Sequence, residues 1–281
     1  MFIKDFVSAG QPLNDVLVID AHSHAGDYVT RRNMDGFISR MDHFGIDLSC
    51  ISSTSAICTG MTEGNDIVAE AVGRFPDRFI GVFVFDPVRP GKSLSELKRA
   101  FSAGWARGIK IHPGASRQHV ASDGYRPMWE FAEENNVFVL CHTWYNKSTH
   151  APHHFIEISE RYPNVPVLLG HSGGLYGGYK EAMAAVTKKK NLFMELSSAE
   201  FSSMWLQQVV ETVGAENLVF GTDFTLLDQA FSLGRVAYAR ISEADKKRIL
   251  GENMLGILSN ESSKNWKIRI LNKLKQEETC K

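Results

Sequence analysis

The sequence predicts an α/β fold, a single-domain (β/α)8 barrel. Three observations carry this expectation. Eight short apolar runs recur at fairly even spacing between Leu17 and Phe224. Most are apolar throughout, as parallel strands covered on both faces require. Segments with helical spacing separate them, and the alternation fills residues 17–258, close to the roughly 250 residues such a barrel takes. An open doubly wound sheet is the competing fold. It usually carries a glycine-rich loop after its first strand, and GxGxxG is absent there. The expected division is a barrel over residues 1–259 and a C-terminal tail over 260–281. In the tail, Trp266, Ile270 and Leu274 recur at helical spacing.

The elements follow in order. LVIDAHSHA (from Leu17) is the first strand, and the next helix spans Met34 to Phe44 with Phe37, Ile38, Met41 and Phe44 on one face. CISSTSA (from Cys50) is the second strand, and Ile67, Ala71 and Phe75 mark a helix that stops before Pro76. FIGVFVFDP (from Phe79) precedes a helix bearing Leu94, Leu97 and Phe101, for which Ser93 is the expected cap. RGIKIHP (from Arg107) is the fourth strand and VFVLCHTW (from Val137) the fifth, with a helix over Tyr125 to Asn136 between them. Helices over His153 to Tyr162 and Tyr179 to Lys190 flank the sixth strand, VPVLLGHSGG (from Val165). NLFMELSS (from Asn191), a helix over Met204 to Val213 and LVFGTDF (from Leu218) come next. A last helix over Lys246 to Leu258 shows Ile249, Leu250, Leu255 and Leu258 on its apolar side.

Composition narrows the function classes. Hydrophobic residues make up 43% and charged residues 22%, as in a globular protein rather than a disordered one. Lysine plus arginine total 31 against 32 acidic residues, a net charge of −1, which predicts no general affinity for nucleic acid or anionic membrane. None of the four cysteines forms a CxxC pair, so a reducing cytoplasm is the expected location. The N-terminus has no long apolar run after basic residues, so no signal peptide is expected. No apolar stretch approaches the roughly 20 residues of a membrane helix. The expected partner is a small-molecule substrate, and the amphipathic tail offers a surface for a homodimer.

The chemistry begins at IDAHSHA. His22 and His24 are two apart, so on a strand both imidazoles share a face, near the strand end where a barrel builds its site. Two imidazoles on one face are the start of a metal site. Asp20, at the same spacing, is expected to orient a ligand imidazole from behind. His142, His171 and Asp223 end the fifth, sixth and eighth strand candidates. Distant in sequence, these ends converge on one mouth in a closed barrel. Lys110 lies inside the fourth strand, two residues before His112.

Other motifs carry less. Cys141 precedes His142, and adjacent strand residues face opposite ways, which argues against a dyad. Gly173, Gly174, Gly177 and Gly178 lack a following GKS/T and are expected to turn the backbone beside His171. His150, His153 and His154 read as a helix start rather than a second metal site, and Lys188 to Lys190 as a solvated helix end. Trp144, Tyr145, Tyr176 and Phe224 follow the chemical positions directly. They line a pocket or pack under loops.

With these residues in place, the sequence resembles the amidohydrolase superfamily of metal-dependent hydrolases, and within it the amidohydrolase-related branch that also contains decarboxylases. The resemblance covers residues 18–258. It rests on the HxH of the first strand, GIKIHP in the fourth, GHSGG in the sixth, GTD in the eighth and the closing ILGENMLGIL. It implies that His22, His24, His142 and Asp223 ligate a divalent metal, one or two ions, with zinc expected first and manganese, iron and nickel open. It implies that His171 is the acid/base, or a ligand of a second ion in two-metal members. Lys110 is a substrate-binding cation, a carboxylated metal bridge or part of a structural ion pair. His112 serves the mouth or the fold. Asp223 doubles as ligand and proton acceptor.

The leading expectation is hydrolysis of an amide, lactone or ester by metal-activated water. The alternative is non-oxidative decarboxylation of a cyclic or unsaturated carboxylate, and the rival from another class is a barrel that binds metal and ligand without turnover.

Overall fold

The computed structural model describes residues 2–25, 33–198, 200, 202–258 and 270. Eight strands stand in chain order around one sheet: β1 (Ile19–Ala25), β2 (Leu48–Ser53), β3 (Phe79–Val84), β4 (Ala106–Ile111), β5 (Phe138–His142), β6 (Val167–Gly170), β7 (Leu192–Glu195) and β8 (Leu218–Val219). Each neighbouring pair is parallel. β8 is short, but the chain beyond it stays beside β1. Ala21 N–H donates to Phe220 C=O at 2.9 Å, Asp223 N–H donates to His22 C=O at 2.7 Å, and Phe224 bridges Ser23. These bonds bring the two ends of the sheet together in a nearly closed (β/α)8 barrel, which excludes the open doubly wound alternative.

Helices Met34–Phe44, Met61–Arg74, Pro90–Ser102, Arg126–Asn135, Phe155–Arg161, Tyr176–Lys188 and Ser203–Val213 occupy the expected connections. The helices Ile3–Ser8, Thr54–Cys58, Pro113–Ser116 and Gln229–Tyr238 were not foreseen. Three of these are too short for a periodic stripe. In Gln229–Tyr238 the half-exposed Phe231 blurs the buried face of Leu233, Val236 and Ala237. Ser93 is not a cap. Pro90 starts its helix one turn earlier, and the buried Ser93 hydroxyl accepts from Asp86 N–H at 3.0 Å. The closing segment is anchored by Asn253, whose Nδ2 donates to Ala215 and Leu218 C=O at 2.8 and 2.7 Å. The predicted tail helix lies outside the described residues except for Ile270, which is buried with Leu17, Met254 and Leu258.

Two apolar layers sandwich the sheet. Ile19, Ala21, Leu48, Cys50, Ile80, Val82, Phe138, Leu140, Leu168 and Val219 fill the barrel. The alternate strand residues, among them Ile51, Phe83, Ile109, Val139, Leu169 and Met194, pack outward under the helices. β1 departs from simple alternation. Ile19 and Asp20 pair with Leu48 and Ser49, but Ser23 and His24 pair with Ile51 and Ser52, so β1 carries one extra residue in between. This bulge shifts the inward positions from odd to even numbers, aiming His22 and His24 into the mouth above Ile19 and Ala21.

Buried Asn65 links the helix Met61–Arg74 to the end of β3. Its Nδ2 donates to Val84 C=O at 3.0 Å and its Oδ1 accepts from Val84 N–H at 2.9 Å. Replacement by alanine orphans both backbone groups. Asn65→Ala is expected to lower unfolding free energy by about 2–4 kcal/mol in urea titrations.

Candidate metal centre

The C-terminal strand ends enclose a cavity of about 200 Å³ whose lining includes His22, His24, Lys110, His142, His171 and Asp223. All the sequence-predicted site residues therefore meet in one place. Within it, the donor atoms that converge most tightly belong to His22, His171 and Asp223. They lie within 4.8 Å of one another, and all three residues are buried. His24 joins through Asp223, its Nε2 donating to Asp223 Oδ1 at 3.0 Å while Ser52 Oγ sits 3.2 Å from its Nδ1. His142 stands beside His171, ring centroids 4.7 Å apart, and stacks on His112 at 4.0 Å. Its donor atoms are outside the tight set of three.

The residue that organises this cluster is Glu195, which the sequence reading passed over. It ends β7 and is wholly buried. Its Oε2 accepts from His22 Nδ1–H at 2.8 Å, His171 backbone N–H at 3.0 Å and the Ser197 hydroxyl at 2.8 Å. Its Oε1 accepts from Ser197 N–H at 2.7 Å. A carboxylate on Nδ1 fixes the tautomer of His22 and leaves its Nε2 lone pair toward the cavity. Gly221 of the GTD motif is required by this arrangement, because a Cβ there would overlap Glu195 Oε1. The available signal was a carboxylate in the otherwise apolar run NLFM.

Asp20 does not back an imidazole. The bulge turns it to the other side, where Oδ1 accepts from His22 and Thr222 N–H at 3.1 and 3.0 Å and Oδ2 accepts from Thr222 Oγ1 at 2.6 Å. It joins β1 to the β8 extension, and burial pushes its carboxyl up to about 8. His112 has a helix-end role besides its place in the cavity wall. Its Nδ1 accepts from Ala115 N–H at 3.1 Å, capping Pro113–Ser116, and burial, then the charge of Lys110, holds it down at about 3.

Lys110 is buried at the cavity floor, and its Nζ donates to His22 Nε2 at 2.7 Å. Burial lowers its pKa to about 8, against the opposing pull of Asp223 and Glu195. Burial and then Lys110 hold His22 well below its usual value. Burial would raise Asp223, but the hydrogen bond from His24 and the neighbouring imidazoles keep it below the ordinary carboxylate range. The cavity thus offers neutral imidazoles at His22 and His142 and an ionised carboxylate at Asp223, donors that a divalent ion takes.

His171 leaves β6 in a left-handed turn. His171, Ser172, Gly173 and Gly174 all have positive φ, from 49° to 84°. Glycine is needed at Gly173, where a Cβ would lie 2.7 Å from the Gly178 backbone. Gly173 and Gly174 turn the backbone as expected, whereas Gly177 and Gly178 lie in the helix Tyr176–Lys188. His171 Nδ1–H donates to Ser197 C=O at 3.0 Å, which leaves Nε2 for the cavity. Pro152–His154 forms a single helical turn leading into Phe155–Arg161, the expected helix start. Cys141 packs in the outer layer, away from the site. Of the aromatic candidates, Trp144 stacks parallel to His142, Tyr176 packs against Trp205 and Phe224 against Phe37.

A barrel whose C-terminal mouth gathers imidazoles, a carboxylate and a buried lysine defines a metal-dependent enzyme class. The chain belongs to the amidohydrolase family: the sequence model described as Amidohydrolase matches residues 19–254. No curated protein sequence matches the chain. Solved structures similar to it include 2,6-dihydroxybenzoate decarboxylase from Rhizobium, with 17% identity, a TM-score of 0.71 and coverage of 87% of this chain and 99% of that one. Dihydroxybenzoic acid decarboxylase from Polaromonas, with bound manganese and 2-nitroresorcinol, shares 19% identity at a TM-score of 0.70, covering 89% and 99%. 5-Carboxyvanillate decarboxylase from Sphingomonas paucimobilis shares 16% at 0.68, covering 87% and 99%. At these identities the likeness establishes the fold. Among the described residues, no helix is long and apolar enough to cross a membrane.

Glu195→Gln keeps the size of the side chain but places an amide beside His22 Nδ1. The variant is expected to bind zinc or manganese about 10–100-fold more weakly in chelator competition while staying folded by circular dichroism.

Proposed function

We propose that the protein is a metal-dependent decarboxylase that acts, without an oxidant, on a cyclic or unsaturated carboxylate. The observation that carries this reading is Lys110, a buried ammonium on the floor of a small cavity, 2.7 Å from the lone pair that a metal ion would take on His22. One lone pair serves one partner, so Lys110 would lose this acceptor, and its ammonium would be free for another, if His22 Nε2 held an ion. A substrate carboxylate is the group that matches a freed cation in a buried site. The decarboxylases among the similar structures, one of them holding manganese, support the same reading.

We assign a single divalent ion, zinc or manganese, to His22, His24 and Asp223, with His142 at the edge of the set. When bound, such an ion supplies a Lewis acid for a substrate oxygen. Lys110 holds the carboxylate that is lost. Asp223, ionised in this setting, is a ligand rather than a proton donor. His171, fixed through Nδ1 by Ser197, carries the proton on Nε2 in its cationic form and returns to the neutral ring on giving it up. The proton goes to the carbon bearing the carboxylate. The bond to that carboxylate breaks, its electron pair returns to the unsaturated system, and CO2 leaves. Hydrolysis of an amide, lactone or ester, the first expectation from sequence, uses the same residues but gives Lys110 no carboxylate to hold.

A panel of aromatic acids, lactones and amides with CO2 detection tests the reading. CO2 release from an aromatic or unsaturated acid is expected, and turnover confined to lactones or amides would overturn it. His171→Asn is expected to keep its metal and lose at least about 100-fold in kcat. Loss of the metal from that variant would make His171 a ligand instead.

A further inference from the structure

The mechanism leaves one buried cation unused. Arg235, on the helix Gln229–Tyr238, is buried, and burial lowers its pKa to about 10 against the pull of Glu195. A guanidinium is tolerable in such a place only when its N–H groups are satisfied. Nη1 donates to Ser198 C=O, and Nη2 donates to Ser232 Oγ at 2.8 Å. The Phe231 ring centre, 4.7 Å from Cζ, supports the guanidinium plane.

Ser198 is the far foot of a three-residue turn. The chain leaves β7 at Glu195, and Ser198 N–H donates back to Leu196 C=O at 2.9 Å, with Ser197 at the tip. That tip faces the imidazoles. Ser197 C=O accepts from His171 Nδ1–H, and Ser197 Oγ lies 3.1 Å from His171 Nδ1 and 3.0 Å from His22 Nδ1. Ser198 also grips the backbone turn that carries His171. Its Oγ donates to Gly174 C=O at 3.1 Å and accepts from Tyr179 OH at 2.9 Å. Glu195 holds the three-residue turn from the β7 side, through Ser197 N–H. Arg235 holds it from the helix that follows β8, through Ser198 C=O.

We propose that Arg235 is a positioning residue for His171. From the helix layer its guanidinium holds Ser198. Ser198 in turn sets the His171 ring, through Ser197, and the His171 backbone, through Gly174. This deepens the proposed function, because it rests on His171 as the residue that moves the proton. The bond that orients His22 comes from Glu195, so metal binding does not need Arg235. Arg235 also lines a cavity of about 520 Å³ together with the exposed Phe231 and Tyr238. A guanidinium ion from solvent therefore has a way to the place of a deleted side chain.

Two-bond proton–nitrogen NMR of the zinc-loaded full chain, with isotope-labelled histidine, tests the role. The His171 signal is assigned through His171→Asn. In the unaltered chain the neutral ring is expected to carry its proton on Nδ1 alone. In R235A the His171 signal is expected to move toward a mixture of tautomers while zinc stays bound, and millimolar guanidinium chloride should return it. On an acid that the unaltered chain decarboxylates, R235A is expected to lose about 10–100-fold in kcat with KM nearly unchanged, and guanidinium should recover part of the loss. An unmoved His171 signal, a shift that guanidinium does not reverse, or a rise in KM with kcat kept would overturn the positioning role. So would loss of zinc from R235A, or a variant that stays unfolded with guanidinium present. The NMR measurement needs no turnover. Absence of CO2 release from every acid would therefore overturn the decarboxylase reading alone, and the His171 signal would still decide the role of Arg235.

Discussion

The site depends on one buried carboxylate. Glu195 has no access to water and accepts four hydrogen bonds, from a ring nitrogen, two backbone amides and a hydroxyl. A buried charge is tolerable only when it is satisfied in this way. The same bonds determine what its neighbours do. His22 is held in one tautomer and orientation, and the amide of His171 is tied down inside a backbone turn that non-glycine residues rarely adopt. Orienting the imidazole and restraining the strained turn are therefore one task of one side chain.

Around Glu195 the cavity sets one lysine against two acidic side chains. Lys110 faces Asp223 and Glu195, and burial works against every ionised group there. Two of the imidazoles answer by staying neutral. His22 and His142 both lie well below their usual pKa, with burial the larger cause in each. Neutral imidazoles at His22 and His142 and an ionised carboxylate at Asp223 are what an incoming cation needs.

How much of this was legible in the sequence depended on how far each feature reaches. Parallel strands buried on both faces leave continuous apolar runs, so all eight were found. Imidazoles at strand ends are conspicuous against runs that are mostly apolar, so His22, His24, His142 and His171, and with them Asp223, could be named. The pairing that matters most was hidden. Glu195 and His22 are 173 residues apart, and a single glutamate in NLFMELSS looks like the end of a strand. Asp20 was misread because alternation was assumed to run through β1, and local sequence gives no sign of the extra residue that interrupts it. The helix Gln229–Tyr238 escaped because its exposed Phe231 breaks the stripe.

That extra residue in β1 has a further meaning. Below it the barrel is filled by carbon, with Ile19 and Ala21 among Leu48, Cys50 and Val219. Above it the same strand contributes nitrogen, through His22 and His24. The bulge is the phase boundary between a hydrocarbon plug and a polar cup. Because the two alternations are out of step, repacking the plug has no direct route along the strand to the aim of the imidazoles. One strand can then be revised for durability at its lower end and for reactivity at its upper end, separately.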